Sequence, residues 1–171
     1  FALVAPVFVT DDIEGAMWSK LVINAMTNSL QALTGKSLNE CVNDPVIADF
    51  AVAQLKESFG VVRAAGIALI NMPGAPMKLF SRALSLPAFL GKAILRRNLG
   101  GDEQSAIVTS TLQSILRSQP TEIEFLNGEF VRLGGKIGYP TPVNRAIVEA
   151  IKRIEQTGQF LSREEIAAMV P

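Results

Sequence analysis

The sequence predicts an all-α domain. Three observations lead to this prediction: apolar residues recur at helical spacing from residue 11 onward, helix-capping residues stand at the ends of these runs, and no strand-like alternation of apolar and polar residues follows residue 10. With 171 residues, the chain is long enough to bury a core of its own.

The first ten residues, FALVAPVFVT, are interpreted as an interdomain strand or linker, and residues 11–171 as the helical domain. Residues 1–10 carry no basic segment and are followed at once by two aspartates, unlike a signal peptide or a membrane span. Because the chain starts with Phe1 rather than Met, we expect it to be a fragment of a longer protein.

Capping residues define the first two helices. Asp11 or Asp12 can cap a helix that runs to about Thr34, and Gly35 ends it. The next Asp–Pro pair is typical of an N-cap and a first helical position, and it opens a second helix over residues 44–65. Two long helices joined by a short loop are expected to pack antiparallel.

The remainder of the chain predicts shorter helices. Two helices are expected within residues 76–99, separated by Pro87. Four more are expected over residues 104–118, 122–136, 142–156 and from Ser162 onward. The helix at 122 is predicted by a capping-box pattern, TEIE, and the last one by a second such pattern. The stretch LGGKIG at 133–138 indicates close packing and a helix end.

Composition excludes several classes of function. Histidine is absent and Cys41 is the only cysteine, which excludes the usual Cys/His metal sites and any Ser–His or Cys–His nucleophile. The formal net charge of zero gives no electrostatic case for binding nucleic acid. One unpaired thiol fits a reducing, cytoplasmic compartment, and we expect Cys41 to be inert.

A line of polar residues interrupts the apolar first helix. Lys20, Asn24 and Asn28 recur at intervals of four, so they share a stripe about 80° wide and about 12 Å long. In one interpretation Lys20 extends to water and the amides bond the backbone. In the other, the stripe is the polar wall of a ligand cleft. Spacing alone leaves both open.

A second set of polar residues lies further along the chain. Ser110 is expected near the middle of its helix and Glu122 in the first turn of the next. A glutamate at a helix start is explained by the helix dipole alone. The combination with the first stripe is the unusual feature.

These segments resemble the C-terminal domain of ketopantoate reductase (2-dehydropantoate 2-reductase). Lys20, Asn24 and Asn28 match its K-x3-N-x3-N helix, and Ser110 and Glu122 match its serine and glutamate with their twelve-residue spacing. The resemblance covers essentially the whole chain. It implies a helical domain similar to that of 6-phosphogluconate dehydrogenase. It also implies an N-terminal Rossmann domain that is absent here, since no G-x-G-x-x-G follows a strand.

The resemblance also implies roles for these residues. It makes residues 11–171 the substrate-binding and catalytic domain of an NADPH-dependent reductase that converts 2-dehydropantoate to pantoate. Lys20 is then the proton donor to the ketone oxygen, Asn24, Asn28 and Ser110 contact the substrate, and Glu122 binds the nicotinamide end of NADPH. The missing domain holds most of the cofactor, so we expect no activity from the fragment itself.

Two departures leave the exact 2-oxo acid open. Ser114 stands where an acidic residue often follows the serine by four, and Asn39 could correspond to a further substrate-contacting asparagine. The runner-up interpretation is a helical dimerisation or interaction domain of a related reductase with a different substrate. The sequence also leaves open a homodimer and the choice between NADPH and NADH.

One basic segment could carry a different function. Residues 58–101 contain no acidic residue but six basic ones: Arg63, Lys78, Arg82, Lys92, Arg96 and Arg97. Such a stretch can lie on a membrane surface. A solvated helical face or a cleft rim is the favoured interpretation, so we do not expect a membrane as partner. The expected partner is a small-molecule 2-oxo acid, and nucleic acid is not expected.

Overall fold

The computed structural model of the chain describes residues 9–72, 77, 80, 81, 88–101 and 106–170. Its helices are α1 (Ile13–Thr34), α2 (Leu38–Asn43), α3 (Pro45–Ala64), α4 (Ala88–Leu99), α5 (Ser110–Leu116), α6 (Asn127–Ile137), α7 (Pro142–Thr157) and α8 (Arg163–Ala168). A 3-10 turn, Ile123–Phe125, precedes α6. The all-α prediction is confirmed. The expected linker falls almost entirely outside the described residues.

Local signals set the ends of the long helices as predicted. The Asp12 carboxylate accepts the N–H of Gly15 at 2.7 Å and begins α1, and Gly35 ends it in the left-handed conformation with φ of 68°. Asp44 caps α3 through the N–H groups of Val46 and Ile47. These bonds satisfy main-chain groups that the helix itself leaves free.

The loop between α1 and α3 contains a short helix that the sequence interpretation missed. Ser37 and Glu40 form a complete capping box that begins α2. The two long helices still pack antiparallel. Ser29 Oγ donates to Gln54 Oε1 at 3.0 Å, and nearer the start of α1, Ser19 Oγ accepts the N–H of Ile70 at 2.9 Å. Residues further along α1 therefore pair with residues earlier in the following segment, as antiparallel packing requires.

The helix predicted over residues 104–118 is shorter than expected. Residues 102–105 lie outside the described residues, and α5 begins only at Ser110, which is its first residue rather than its middle. Residue Thr109 is extended, with φ −70° and ψ 157°. A side chain of α1, Gln31, bonds the main chain at Ile107 and Thr109, so tertiary contacts displace the helical pattern here.

The helix predicted over residues 122–136 is also wrong at its start. The chain makes the 3-10 turn at 123–125, leaves helical geometry at Leu126, and begins α6 at Asn127. The capping box does not form, because Glu155 of α7 accepts the N–H of Thr121 at 2.7 Å and Glu124 pairs with Lys152 instead.

The predicted helices at 76–99 agree with the structure where it describes them. The second corresponds to α4, and most of the first lies outside the described residues. Two basic residues of this segment bond within the domain: Lys92 pairs with Asp49 at 2.7 Å, and Arg96 Nε donates to the carbonyl of Val42 at 3.1 Å. Across the described ranges, no helix combines the length and apolarity needed to cross a bilayer.

The core is formed where α1, α3, α6 and α7 meet. Its largest fully buried side chains include Met26, Leu30, Phe50, Leu55, Phe130, Ile147 and Ile151. Burial of each such side chain contributes roughly 1.5–3 kcal/mol. Trp18 meets Phe130 edge to face, with ring centroids 5.5 Å apart. This contact joins the N-terminal part of α1 to the core.

The Glu57 carboxylate of α3 fixes the start of α7. It accepts the main-chain N–H groups of Val143 and Asn144 at 2.9 and 2.7 Å, where the helix has no side-chain cap of its own. Asn144 then accepts from Asn127 at 2.8 Å, which ties the start of α6 to the same point. A carboxylate at a helix N-terminus also complements the dipole.

Two adjacent glycines of α6 provide a test of this packing. A Cβ on Gly134 would lie 2.6 Å from the carbonyl oxygen of Tyr139, whereas one on Gly135 meets nothing within 4 Å. Gly134→Ala should lower the free energy of unfolding by about 1–3 kcal/mol, and Gly135→Ala should raise it by about 0.5–1 kcal/mol. Urea denaturation measures both. Equal effects would contradict the packing of α6 against the following turn.

Candidate functional site

The polar stripe of α1 runs from solvent into the core. Lys20 is exposed, Asn24 is partly buried, and the Asn28 side chain is buried, with 7% of its surface exposed. The three residues share a face of the helix, as the spacing predicts. Their surroundings differ. Bonding of an amide to the backbone therefore applies to the buried Asn28, whereas the polar wall of a cleft applies to the more exposed residues.

Lys20 and Asn24 line an open cleft of about 450 Å³. The cleft is formed by Met17, Trp18, Lys20, Leu21, Asn24, Phe125 and Glu129. Its walls are mainly apolar, which is typical of small-molecule sites with a few polar groups that orient the ligand. The 3-10 turn and α6 supply the wall opposite α1.

The charge of Lys20 is not neutralised within this cleft. Glu129 also lines it, but its carboxylate pairs with Arg132 on the same helix. In the part of the chain that the structure describes, Lys20 has no carboxylate partner. Its ammonium is therefore free to bind an electron-rich oxygen of a ligand.

Asn28 and Ser110 are brought together by a set of hydrogen bonds. Asn28 Oδ1 accepts from Ser110 Oγ at 3.2 Å, from Thr111 Oγ1 at 3.0 Å and from the Thr111 N–H at 3.3 Å. Its Nδ2 donates to the carbonyl of Asn24 at 2.9 Å. Ser110 thus meets α1 one helical turn, about 5.4 Å, beyond Asn24.

Glu122 does not line the cleft. It is exposed, stands before the 3-10 turn, and its carbonyl accepts the N–H groups of Phe125 and Leu126. Its carboxylate has no partner among the described residues. Three residues later, Phe125 reaches the cleft and remains 71% exposed.

Sequence reasoning missed the contributions of Phe125 and Glu129. It placed both on one helix starting at Glu122, and the 3-10 turn changes which of these side chains face α1. Phe125 directly follows the capping-box pattern, and its exposure is seen only in the structure. Asn39 lies elsewhere: its Nδ2 donates to the carbonyl of Gly100 at 3.0 Å and joins α2 to the end of α4.

The chemistry of Cys41 is that of an inert thiol. The side chain is fully buried, and burial raises its pKa to about 11. A thiolate is the reactive form, so this cysteine is a poor nucleophile near neutral pH. The described residues also contain no group of three acidic or cysteine side chains placed to hold a metal ion.

Comparison with known proteins decides the family. Residues 12–155 match the family described as ketopantoate reductase PanE/ApbA C terminal. The chain belongs to this family. A 2-dehydropantoate 2-reductase from Pyrobaculum aerophilum is 30% identical over 147 residues, which cover 86% of this chain and 46% of that enzyme. One from Vibrio cholerae is 29% identical over 157 residues, covering 90% of this chain and 45% of the enzyme.

Solved structures show the same fold. A ketopantoate reductase from Ralstonia eutropha JMP134 matches with a TM-score of 0.69 and 27% identity, over 90% of this chain and 45% of that one. A dimeric ketopantoate reductase from Staphylococcus aureus matches with a TM-score of 0.64 and 20% identity, over 88% of this chain and 46% of that one. The chain spans about half the length of the relatives it matches.

The two asparagines should differ in their contribution to stability. Asn28→Ala removes the acceptor of three buried or half-buried donors and should lower the free energy of unfolding by roughly 2–3 kcal/mol. Asn24→Ala leaves those bonds intact and should change it by less than about 0.5 kcal/mol. Urea denaturation of the two variants distinguishes them. Similar losses would show that Asn28 does not anchor α5.

Proposed function

We propose that this chain forms the substrate side of a reductase that converts a 2-oxo acid to a 2-hydroxy acid with NADPH, most concretely 2-dehydropantoate to pantoate. The observation that carries the proposal is the unpaired Lys20 ammonium in a largely apolar cleft, in a family whose relatives are named 2-dehydropantoate 2-reductase. Such a cleft suits a small anion with an apolar side chain.

Lys20 is the proton donor in this proposal. Hydride addition to a ketone leaves an alkoxide that must be protonated, and with no histidine in the chain a lysine is a suitable acid. Before that step, the ammonium polarises the carbonyl and stabilises the charge that develops on its oxygen. NADPH supplies the hydride when it is bound.

The remaining polar residues bind and orient the substrate. Asn24 faces the cleft directly, and Ser110 offers its hydroxyl one turn further along α1. Asn28 already uses its oxygen and one N–H within the domain, so it retains a single N–H for a ligand. Its main part in binding is to hold Ser110.

Glu122 is the residue of this chain proposed to contact the cofactor. An exposed carboxylate without a partner in the described residues fits the amide donors of a nicotinamide group. It precedes by three residues the Phe125 ring that lines the cleft.

We place the protein in the cytoplasm because its one thiol is unpaired.

The interaction-domain alternative makes a different use of the same surface. The dimeric ketopantoate reductase from Staphylococcus aureus supports this alternative. In that alternative, the exposed apolar residues Ile13, Met17 and Phe125 serve only a subunit or domain contact, and Lys20 is a surface charge. Substitution of Lys20 separates the two functions, because only the reductase requires its proton.

Lys20→Met in an enzyme that joins this chain to its dinucleotide-binding half should lower turnover with ketopantoate by roughly two to four orders of magnitude. NADPH affinity and melting temperature should stay nearly constant, because the methionine keeps the length of the side chain and Lys20 forms no ion pair with the residues that the structure describes. Steady-state kinetics measures the effect.

The matched control is Lys56→Met, which removes an exposed lysine from α3 away from the cleft and should leave turnover unchanged. A Lys20→Met enzyme within a few-fold of wild type would exclude Lys20 as the proton donor and favour the interaction-domain alternative.

Glu122→Gln tests the cofactor contact in the same two-domain enzyme. The exposed carboxylate makes no bond to the residues that the structure describes, so stability should be almost unchanged, whereas loss of a charge-assisted hydrogen bond should weaken NADPH binding roughly tenfold. Fluorescence titration with NADPH gives the affinity. Glu164→Gln, at an exposed position of α8, is the control. Unchanged affinity in Glu122→Gln would remove the cofactor role.

A further inference from the structure

Gln31 forms a second anchor on α1 beside Asn28. It lies three residues later on the same face, and only 1% of its surface is exposed. Its Nε2 donates to the carbonyl of Ile107 at 2.7 Å, and its Oε1 accepts the N–H of Thr109 at 2.7 Å. One side-chain amide therefore pairs with the main chain two residues apart, as a neighbouring strand would do.

The start of α5 depends on these contacts. Its N-cap residue, Thr109, makes no side-chain cap bond, and the helix has only seven residues. Helices this short are not stable on their own. Gln31 holds the start of α5 at the Thr109 N–H, and Asn28 holds it at Ser110 and Thr111. From within the helix, Gln113 Nε2 also donates to the carbonyl of Val108 at 2.8 Å.

We propose that Gln31 is a positioning residue for the reaction. With Asn28, it sets where α5 begins and therefore where the Ser110 hydroxyl stands relative to Asn24 and Lys20. Gln31 does not line the cleft itself, so its effect passes through Ser110. This inference rests on the proposed function, in which Ser110 contacts the substrate.

A double-mutant cycle in the two-domain enzyme tests the coupling. Gln31→Met removes both bonds at similar side-chain length, and Ser110→Ala removes the hydroxyl that Gln31 is proposed to position. Gln31→Met should raise KM for the 2-oxo acid roughly tenfold, with a smaller effect on kcat. In the Ser110→Ala background, the same substitution should raise KM less than about twofold. Full additivity would overturn the proposal.

Gln54 offers a matched control. It is a fully buried glutamine of α3, bonded to Ser29 rather than to the α5 segment. Gln54→Met removes the single bond to Ser29 together with an Nε2 that has no partner among the described residues, and it should leave KM unchanged. An increase in KM as large as that of Gln31→Met would show that any loss of a buried amide has the same result, which would also overturn the proposal.

Hydrogen exchange gives a readout that does not require activity. In the two-domain protein, Gln31→Met should accelerate exchange in peptides covering residues 106–112 at least tenfold, because the Thr109 amide loses its acceptor. The Gly158 amide, bonded to Ile154 at 2.7 Å, is the reference and should not change. Unaltered exchange at residues 106–112 would show that Gln31 does not hold this segment.

Gln31→Glu keeps the test possible if the methionine variant does not fold. A protonated glutamate can replace both bonds, and burial raises the pKa of a carboxyl group. The ratio of the KM of Gln31→Glu to that of the wild type should therefore fall toward one as pH is lowered. A ratio independent of pH would count against the proposal.

If the wild-type enzyme reduces no 2-oxo acid, the proposed function fails, while hydrogen exchange still reports whether Gln31 holds α5.

Discussion

Burying a side-chain amide without hydrogen-bond partners is costly, and in this domain the partners of two buried amides, Asn28 and Gln31, set the position of Ser110. Leaving one buried donor or acceptor unpaired costs about 1–3 kcal/mol. Asn28 avoids this cost by accepting from Ser110 and Thr111, and Gln31 by pairing with the main chain at residues 107 and 109. The position of α5 is thus set from within α1.

The polar stripe of α1 therefore serves two purposes: part of it faces the cleft, and part of it bonds within the domain. Near its N-terminal end, Lys20 and Asn24 face an open cleft, where their polar groups are available to a ligand. Further along, Asn28 is enclosed by the domain and bonds protein partners through its oxygen and one N–H. A helix of 22 residues is about 33 Å long, enough to extend from solvent into the core.

How well the sequence predicted each element depends on where its deciding contacts lie. The ends of α1 and α3 were predicted because Asp12, Gly35 and Asp44 act on main-chain groups within a few residues. The starts of α5 and α6 were not. There, Gln31 and Glu155 act from distant parts of the chain, and their bonds replace the local ones that the pattern indicates.

The candidate site divides in the same way. Helical periodicity was sufficient to place Lys20 and Asn24 on one face. The resemblance made Asn28 and Ser110 substrate contacts, but it did not predict the hydrogen bond that joins them in the structure. Neither source indicated Phe125 as a wall of the cleft, because its orientation follows from the 3-10 turn at 123–125, which replaces the predicted start of the helix.

The open cleft also limits what Lys20 can do alone. Water at an exposed ammonium competes for the same oxygen and weakens its electrostatic effect on a carbonyl. Met17 and Phe125, which are 65% and 71% exposed, stand at the rim as apolar surface that a further domain or subunit would remove from water. Covering them would also exclude water from Lys20, so in the proposed reductase closure would strengthen the electrostatic effect of its ammonium.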